Sequence, residues 1–158
     1  MSERVPMTRE GFEKLKTELD RLIREVRPQV VQEIQDARAH GDISENAEFH
    51  AAKERQSFTE GRIQELTSKI SRAEVIDITK LSGEMVVFGA RVKLEEVESG
   101  DIFDYFIVGE DEADVEAGKI NFASPIGRAL IGKELDEQVR VKTPRGIKEF
   151  IILDISFG

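Results

Sequence analysis

Two helical repeats separated by a short turn constrain the fold of this chain more than any other feature. In the first repeat, apolar residues from Phe12 to Val26 recur at alternating steps of three and four, which is the spacing of a coiled-coil seam. The same spacing runs from Phe49 to Ala73 in the second repeat. Because the intervening turn is short, the two helices must run antiparallel. The pattern predicts a hairpin about 45 Å long, from roughly 30 residues per helix at about 1.5 Å each.

A proline interrupts the first repeat. Beyond Pro28 the apolar positions Val30, Ile34 and Ala37 continue one residue out of phase. Proline lacks a backbone donor and its ring collides with the preceding helical turn, so the sequence predicts a kink or a break at this point. Thr8, just before the repeat, is the expected N-cap of the first helix.

The second half of the chain changes its period. From Met85 onward, apolar and polar residues alternate in short segments, which predicts β-strands. These segments are MVVF, RVKLEEV, IFDYFIV, KINF, EQVRVKT and KEFIILDISF. The segment SPIGRALIG predicts one helix, with Ser124 as N-cap, Pro125 in the first turn and Gly132 just past the end. The segment TPRG predicts a turn that joins the last two strands as a hairpin.

We therefore predict an α+β fold with two domains. An antiparallel coiled-coil hairpin occupies residues 1–80, with an acidic tip at residues 41–46. A small, mostly antiparallel sheet domain with one helix occupies residues 81–158. The expected boundary lies near Ser82 and Gly83, where the helical pattern stops.

Charge and composition exclude several classes of protein. The net charge of -9 argues against a general nucleic-acid binder. Residues 1–80 carry 14 basic and 16 acidic groups, net -2, whereas residues 81–158 carry 9 and 16, net -7, so the first half meets less repulsion from a polyanion. Absence of cysteine excludes disulfides and thiolate sites. Without an apolar signal segment or membrane-length run, we expect a cytoplasmic protein that contacts no membrane.

The turn GDISEN at residues 41–46 places two carboxylates, Asp42 and Glu45, at the end of the predicted hairpin. Their spacing favours a structural interpretation, because Asp-x-x-Glu before a helix resembles a capping box; Ser44 is an alternative cap. The second interpretation is half of a divalent-ion site, since these carboxylates, with Ser44 and Asn46 nearby, are hard oxygen ligands suited to Mg²⁺. Such a site would be weak alone and would need further ligands from a partner.

Other polar side chains flank the turn. We expect His40 and His50 to be solvated surface residues, because zinc sites need converging ligands. The basic residues Arg38, Lys53 and Arg55 are either ordinary solvated charge or a small phosphate-facing patch. The sequence contains no phosphate-binding glycine loop and no recognisable nucleophile–base pair, so a free-standing enzyme is not expected.

Long segments of the sequence resemble the Gre family of bacterial transcript-cleavage (transcription elongation) factors, with most likeness to its GreA-type members. They include MTREGFEKLKTELDRL, RPQVVQEIQDARAHGDISENAEFHAAKERQSFTEGRI and SPIGRALIGKE. The resemblance implies an N-terminal coiled coil and a C-terminal domain with an FKBP-like fold. In such proteins the C-terminal domain docks at the rim of the secondary channel of RNA polymerase, and the coiled coil enters the channel.

The resemblance also implies roles for individual residues. By position, Asp42 and Glu45 would help hold a second Mg²⁺ and position the attacking water in the polymerase active site. That Mg²⁺ would be shared with the polymerase and not bound stably by the free protein. The residues expected to face the 3′ segment of the nascent RNA are Arg38, Lys53 and Arg55. The residues expected to dock on the polymerase are Ser124, Pro125 and Ile126. Phe49 stands where the family usually has tyrosine.

The expected function is therefore that of a monomeric accessory factor that completes the nuclease site of bacterial RNA polymerase. It would stimulate cleavage of backtracked RNA near the 3′ end and rescue arrested complexes. One alternative is a channel-binding inhibitor that does not stimulate cleavage, although the intact acidic turn argues against it. Another is an FKBP-like isomerase or chaperone, which is disfavoured because the sequence shows no recognisable aromatic-lined catalytic pocket and fold alone does not give function.

Overall fold

The computed structural model describes residues 3–41 and 46–157. The chain divides into two compact units, one built mainly from Phe12–Ala73 and the other from Arg4–Gly11 together with the chain from Glu74 onward. The second unit thus begins a few residues before the composition break near Ser82. It also includes an N-terminal segment that the sequence had assigned to the hairpin.

Two helical runs form the first unit. The first run is continuous from Arg9 to Arg38, and the second is a single long helix. Their elements are α1 Arg9–Arg21, a π-helical turn Leu22–Val26, α2 Arg27–Arg38 and α3 Ala47–Ser71. The interruption predicted at Pro28 is therefore not a gap in the helix.

The π turn accounts for both the proline and the phase shift. The backbone N–H of Arg27 donates to the carbonyl of Leu22, five residues earlier. A turn closed by such a bond holds one residue more than an α-helical turn, so the seam advances by one residue. Leu22, the first residue of the turn, is buried, and so is Val30, which follows the turn. Pro28 is the second residue of α2, directly after the π turn, and proline and π turns both interrupt the regular α-helical hydrogen-bond pattern.

Burial confirms both predicted seams. The apolar residues fall on one side of each helical run and pack against the other run. The most buried members are Leu15, Leu22, Val30, Ile34, Ala37, Phe49, Ala52, Thr59, Ile63 and Leu66. Toward the turn, the residues that close the interface are Val30, Ile34, Ala37, Phe49 and Ala52.

Ion pairs between described residues link the two helical runs along their exposed edges. The pairs are Glu18 with Arg62, Arg27 with Glu60, and Glu33 with Arg55. Partners later in the first run meet residues earlier in α3, as the antiparallel prediction requires. The guanidinium of Arg27 donates to both carboxylate oxygens of Glu60, at 2.9 and 2.8 Å, and lowers the pKa of that carboxyl. Exposed pairs add little stability each, but they fix the register.

A two-stranded sheet at the start of the second unit was not predicted. Its strands are β1 Val5–Thr8 and β2 Ala73–Ile76. Thr8 ends β1 and is the N-cap of α1, because its hydroxyl accepts the N–H of Gly11 at 3.1 Å; this confirms the predicted cap. The backbone N–H and hydroxyl of Thr8 both donate to the carboxylate of Glu112.

The main sheet of the second unit has five strands in the order β5-β4-β3-β7-β6. They are β3 Ala90–Glu96, β4 Ile102–Val108, β5 Lys119–Asn121, β6 Gln138–Thr143 and β7 Gly146–Phe157. Neighbouring strands are antiparallel except β4 and β5. Short 3₁₀ turns lie at Ile78–Lys80, Glu110–Glu112 and Val115–Ala117. The α+β prediction is confirmed.

One predicted strand is wrong. The segment MVVF contributes only an isolated bridge between Met85 and Glu134, so its apolar character reflects burial of Val86 rather than a sheet position. The predicted hairpin over TPRG is confirmed, because Thr143 pairs with Gly146.

The helix α4, Pro125–Leu130, packs on one face of the main sheet as its sequence predicts. Ser124 caps it by accepting the N–H of Gly127 at 3.1 Å, and Gly132 follows the end with a φ of 89°. The six residues of this helix span only about 9 Å, whereas five strands at about 4.8 Å spacing cover roughly 19 Å. Part of the apolar face of the sheet is therefore left uncovered.

Candidate functional site

The ends of the two helical runs frame the acidic turn. Helix α2 ends at Arg38, and Gly41 follows with a φ of 124°. Helix α3 starts at Ala47. Asp42 and Glu45, the predicted ligand residues, lie outside the described residues. The structure describes the residues on either side of them.

Asn46 is the residue that caps α3. Its side-chain oxygen accepts the N–H of Phe49 at 3.0 Å, and its side-chain nitrogen donates to the carbonyl of Ala37 at 2.5 Å. One amide group thus satisfies an otherwise unpaired donor at the start of α3 and ties α3 to α2. The end of the hairpin is closed by this side chain.

The cap at Asn46 corrects the structural interpretation of the acidic turn. With Asn46 at the N-cap, the third helical position is Phe49, and Glu45 precedes the cap instead of following it. The capping box proposed for Asp42 and Glu45, and the alternative cap at Ser44, are therefore wrong. The structural role that their spacing favoured belongs to another residue.

Replacing Asn46 should test this assignment. Asn46→Ala removes both hydrogen bonds, and we expect it to lower the free energy of unfolding by about 0.5–2 kcal/mol for the cap alone. Asn46→Asp keeps the acceptor for Phe49 but loses the donor to Ala37, so its loss should be smaller. Urea denaturation followed by circular dichroism measures both. An Asn46→Ala protein as stable as the wild type would show that the cap lies elsewhere.

Phe49 belongs to the hairpin interface. The residue is 9% exposed and packs with residues of α2. The Arg38 guanidinium lies over the Phe49 ring at 5.7 Å from its centroid, a cation–π contact. The edge of His50 meets the same ring at 5.7 Å. At the position where the resemblance leads one to expect tyrosine, an aromatic ring thus helps to fix Arg38.

The predicted basic patch is only partly assembled. Lys53 is exposed and donates to the side-chain oxygen of Gln56 at 3.0 Å. The guanidinium of Arg55 is paired with Glu33 across the hairpin, so its charge is largely neutralised. A shallow surface depression beside this pair is lined by Glu33, Asp36, Ala37, Glu48, Ala51, Ala52 and Arg55. The described surface next to the turn is therefore of mixed charge rather than basic.

The described residues contain no cluster of three or more acidic, histidine or cysteine side chains arranged to hold a metal ion. His40 and His50 are exposed on the two sides of the turn. In the same ranges, no helix is both long and apolar enough to cross a bilayer.

The predicted docking residues lie at the start of α4. The hydroxyl of Ser124 donates to the carbonyl of Asn121 at 2.7 Å, which fixes the loop before the helix. Pro125 is exposed and Ile126 half-buried. Both border a groove of about 440 Å³ whose apolar lining includes Phe103, Tyr105 and Phe150. The sequence alone did not reveal this groove, and its aromatic lining does not by itself make it the catalytic pocket of an isomerase.

Two family profiles match consecutive parts of the chain. Residues 5–75 match the family described as "Transcription elongation factor, N-terminal", and residues 81–157 match "Transcription elongation factor, GreA/GreB, C-term". The chain belongs to the GreA/GreB family. Both units are therefore covered by domains of one family, and the resemblance seen in the sequence is confirmed.

Individual GreA/GreB relatives match over the full length. The chain is 55% identical over 157 residues to "Transcription elongation factor GreA" of Trichlorobacter lovleyi, covering 99% of both chains. It is 54% identical over 158 residues to the protein of the same name from Rhizobium etli, covering 100% of both. Among solved structures, the transcription factor Gfh1 is 32% identical with a TM-score of 0.47, covering 98% of this chain and 99% of that one.

For this GreA/GreB member, sequence reasoning did not identify Asn46 as the cap of α3. The N-cap types Asp42, Ser44 and Asn46 all precede α3, so residue type alone did not identify the cap. The Glu33–Arg55 pair was also missed, because the partners lie on different helices. The sequence did contain a signal for this pair. Glu33 and Arg55 each lie directly beside a seam residue, and an antiparallel alignment of the two seams could have brought them together.

Proposed function

We propose that this protein inserts the tip of its hairpin into the secondary channel of RNA polymerase and stimulates the polymerase's intrinsic cleavage of backtracked RNA near the 3′ end. The supporting observation is the cap at Asn46. Since Asn46 closes α3 and binds it to α2, the helix does not need Asp42 and Glu45 for capping. The two carboxylates are therefore available to bind a metal ion.

The donor chemistry of these acids fits a shared magnesium ion. Carboxylate oxygens are preferred Mg²⁺ ligands, and Mg²⁺ commonly takes only one or two carboxylates and completes its shell with water and phosphate. Asp42 and Glu45 would supply those carboxylates, and the polymerase and the RNA phosphate would supply the remaining partners. When bound, the ion supplies charge neutralisation at the phosphate and polarises a water molecule.

The chain's own contribution is to place and hold the two carboxylates. Helix α3 has 25 residues and is about 38 Å long at 1.5 Å per residue, which suits a site reached through a channel. The buried seam and the cross-helix ion pairs limit sliding of one helix along the other. Asn46 then fixes the spacing of the helix ends on either side of the turn. A fixed spacing lowers the entropic cost of aligning both ligands.

The remaining predicted residues take supporting roles in this proposal. Arg38 and Lys53 face solvent near the turn and would contact phosphates of the RNA 3′ segment. Arg55 would have to leave Glu33 to do the same, so we expect it to contribute less than Lys53. Docking would use the surface at Ser124–Ile126. The protein would thus be an accessory factor, with the covalent chemistry performed in the polymerase active site.

Stalled, backtracked elongation complexes with end-labelled RNA test this function. Adding the protein should shorten the RNA at its 3′ end and allow elongation to resume when nucleotides are supplied. The shortened product must remain in the complex, because it becomes the new primer end. Binding to polymerase without any shortening would refute the proposal and favour the channel-binding inhibitor.

A further inference from the structure

Phe58 is 81% exposed, the highest fraction of any large apolar residue in the described ranges. It lies on α3 about 18 Å from Asn46, at about 1.5 Å per residue. Its ring makes no aromatic or cation–π contact with another described residue. Folding of the described chain therefore leaves the ring in solvent. A single exposed apolar side chain is common on protein surfaces, so Phe58 alone does not indicate a partner.

Gly61 gives the second observation. It lies three residues after Phe58, on the same side of α3, inside a helix of 25 residues. Apart from proline, glycine is the least favourable residue in a helix interior. A Cβ atom at Gly61 would meet no described heavy atom within 4 Å beyond its own stretch of helix, whereas one at Gly127 would come within 2.4 Å of the carbonyl oxygen of Asn121. Close packing thus explains Gly127 and does not explain Gly61.

Two locally unfavourable choices therefore lie side by side on the surface of α3. The ring of Phe58 stands in water, and the backbone at Gly61 is bare where alanine would stabilise the helix. Neither choice stabilises the folded chain by itself. Departures of this kind from local rules are expected at functional sites. Together the two residues form a projecting ring beside a shallow notch.

The charged side chains that flank the ring already have partners. The flanking pairs are Arg55 with Glu33, and Arg62 with both Glu18 and Glu65. The surface around Phe58 is therefore close to neutral. A neutral surface with a central aromatic ring favours contact with a protein over binding of a charged small molecule.

We propose that Phe58 and Gly61 form a shaft contact, in which the ring enters an apolar pocket of a protein partner and a group of that partner packs against the bare backbone at Gly61. The inference rests on the proposed function, because the partner is taken to be the wall of the RNA polymerase channel. The shaft contact would add affinity that does not depend on the acidic turn, and it would hold the inserted hairpin in place.

The size and position of the patch favour a channel wall over other occupants. A phenylalanine side chain buries about 150–250 Å², whereas a stable interface needs roughly 800 Å² from each partner. The patch is therefore too small to pair two copies of this chain alone, and must belong to a wider interface. A hairpin whose turn reaches a site inside a channel is enclosed by protein about 18 Å behind that turn. Single-stranded RNA fits less well, because it needs a basic track along its backbone and both flanking arginines are paired.

Removal of the ring provides the first test. Phe58→Ala should bind RNA polymerase core enzyme roughly 5- to 30-fold more weakly, and the loss should persist at high salt because screening acts on charges. The free variant should unfold at the same urea concentration as the wild type or at a higher one, since the ring is exposed and alanine favours helix. Binding within about twofold of the wild type would overturn the inference.

Gly61→Ala separates binding from stability. The variant should unfold at a higher urea concentration and yet bind polymerase more weakly, because the added methyl group fills the notch. Thr67→Ala is the matched control. Thr67 is exposed and lies on the opposite side of α3 from Phe58, so its replacement also favours helix but leaves the patch unchanged. A Gly61→Ala protein that gains stability and binds as tightly as the control would contradict a close approach at Gly61.

A photocrosslinker identifies the occupant. With p-benzoylphenylalanine in place of Phe58, the protein should crosslink to a polymerase subunit in a backtracked elongation complex, and excess wild-type protein should abolish the product. Crosslinking mainly to a second copy of the chain, or to RNA, would overturn the channel-wall assignment.

The failures are distinguishable, because binding and cleavage are measured separately. If wild-type protein shortens backtracked RNA and both patch variants bind polymerase as the wild type does, the shaft contact is wrong and the proposed function stands. If wild-type protein binds polymerase without shortening RNA, the proposed cleavage role fails, and the affinities of Phe58→Ala and Gly61→Ala still decide the shaft contact. Failure of wild-type protein to bind polymerase would overturn both.

Discussion

Combined replacement of Asp42 by Asn and Glu45 by Gln should abolish stimulated RNA cleavage, with a loss of more than about 100-fold. The amides keep the shape of the carboxylates but lose the negative charge that Mg²⁺ requires. Cleavage of end-labelled RNA in backtracked complexes measures the loss. Because docking would use a surface remote in sequence, at Ser124–Ile126, the double variant should still bind polymerase and compete with the wild type.

The stability of the same variant separates a catalytic role from a structural one. Asn46, not either acid, caps α3, so the double variant should lose much less than the 0.5–2 kcal/mol typical of a removed cap. Asn46→Ala is the matched control, since it should reduce stability while keeping both acids. Near wild-type cleavage by the double variant would show that the acids are not ligands.

Single replacements should behave differently from the double one. Asp42→Asn alone removes one of two carboxylates, which lowers occupancy of the shared ion without abolishing its site. Raising the Mg²⁺ concentration should therefore partly restore cleavage by the single variant and not by the double variant. Cleavage rates titrated against Mg²⁺ give the comparison. Equal rescue of both variants, or no rescue of either, would contradict a shared ion held by these acids.

The hairpin was predictable because its signal is local. Each helix buries a seam whose spacing can be counted along the sequence, and burial of Leu22, Ile34 and Ile63 follows that count. The sequence also showed that Val30 onward is one residue out of phase. The sequence could not show which backbone conformation produces this shift, because a π turn and a break in the helix both change the phase of the seam.

The second unit was harder to predict, since its decisive contacts join distant residues. Strands β1 and β2 are four residues each, too short for a reliable alternation, and their pairing partners are far apart in the chain. The groove escaped detection for the same reason, because Phe103 and Phe150 meet only when β4 and β7 flank β3 in the sheet. The strand prediction for MVVF was wrong because its apolar residues indicate burial, and Val86 is buried without belonging to a strand.

The cap at the turn shows the limit of motif reasoning. An Asp-x-x-Glu pattern before a helix usually indicates capping, and here the residue directly before Ala47 takes that role. The side chain of Asn46 has both a donor and an acceptor, so it bonds Phe49 within α3 and Ala37 on α2. A carboxylate at the same position would supply only the first bond.

RNA cleavage measured against Mg²⁺ concentration, with and without RNA polymerase, tests most directly whether the hairpin completes a partner's site. Free protein should leave naked RNA intact at every Mg²⁺ concentration, because two carboxylates on a turn leave most of the ion's shell to water. With a backtracked elongation complex present, cleavage should appear, depend on the divalent ion and require Asp42 and Glu45. Robust cleavage of free RNA by the protein alone, lost in Asp42→Asn, would contradict the shared site.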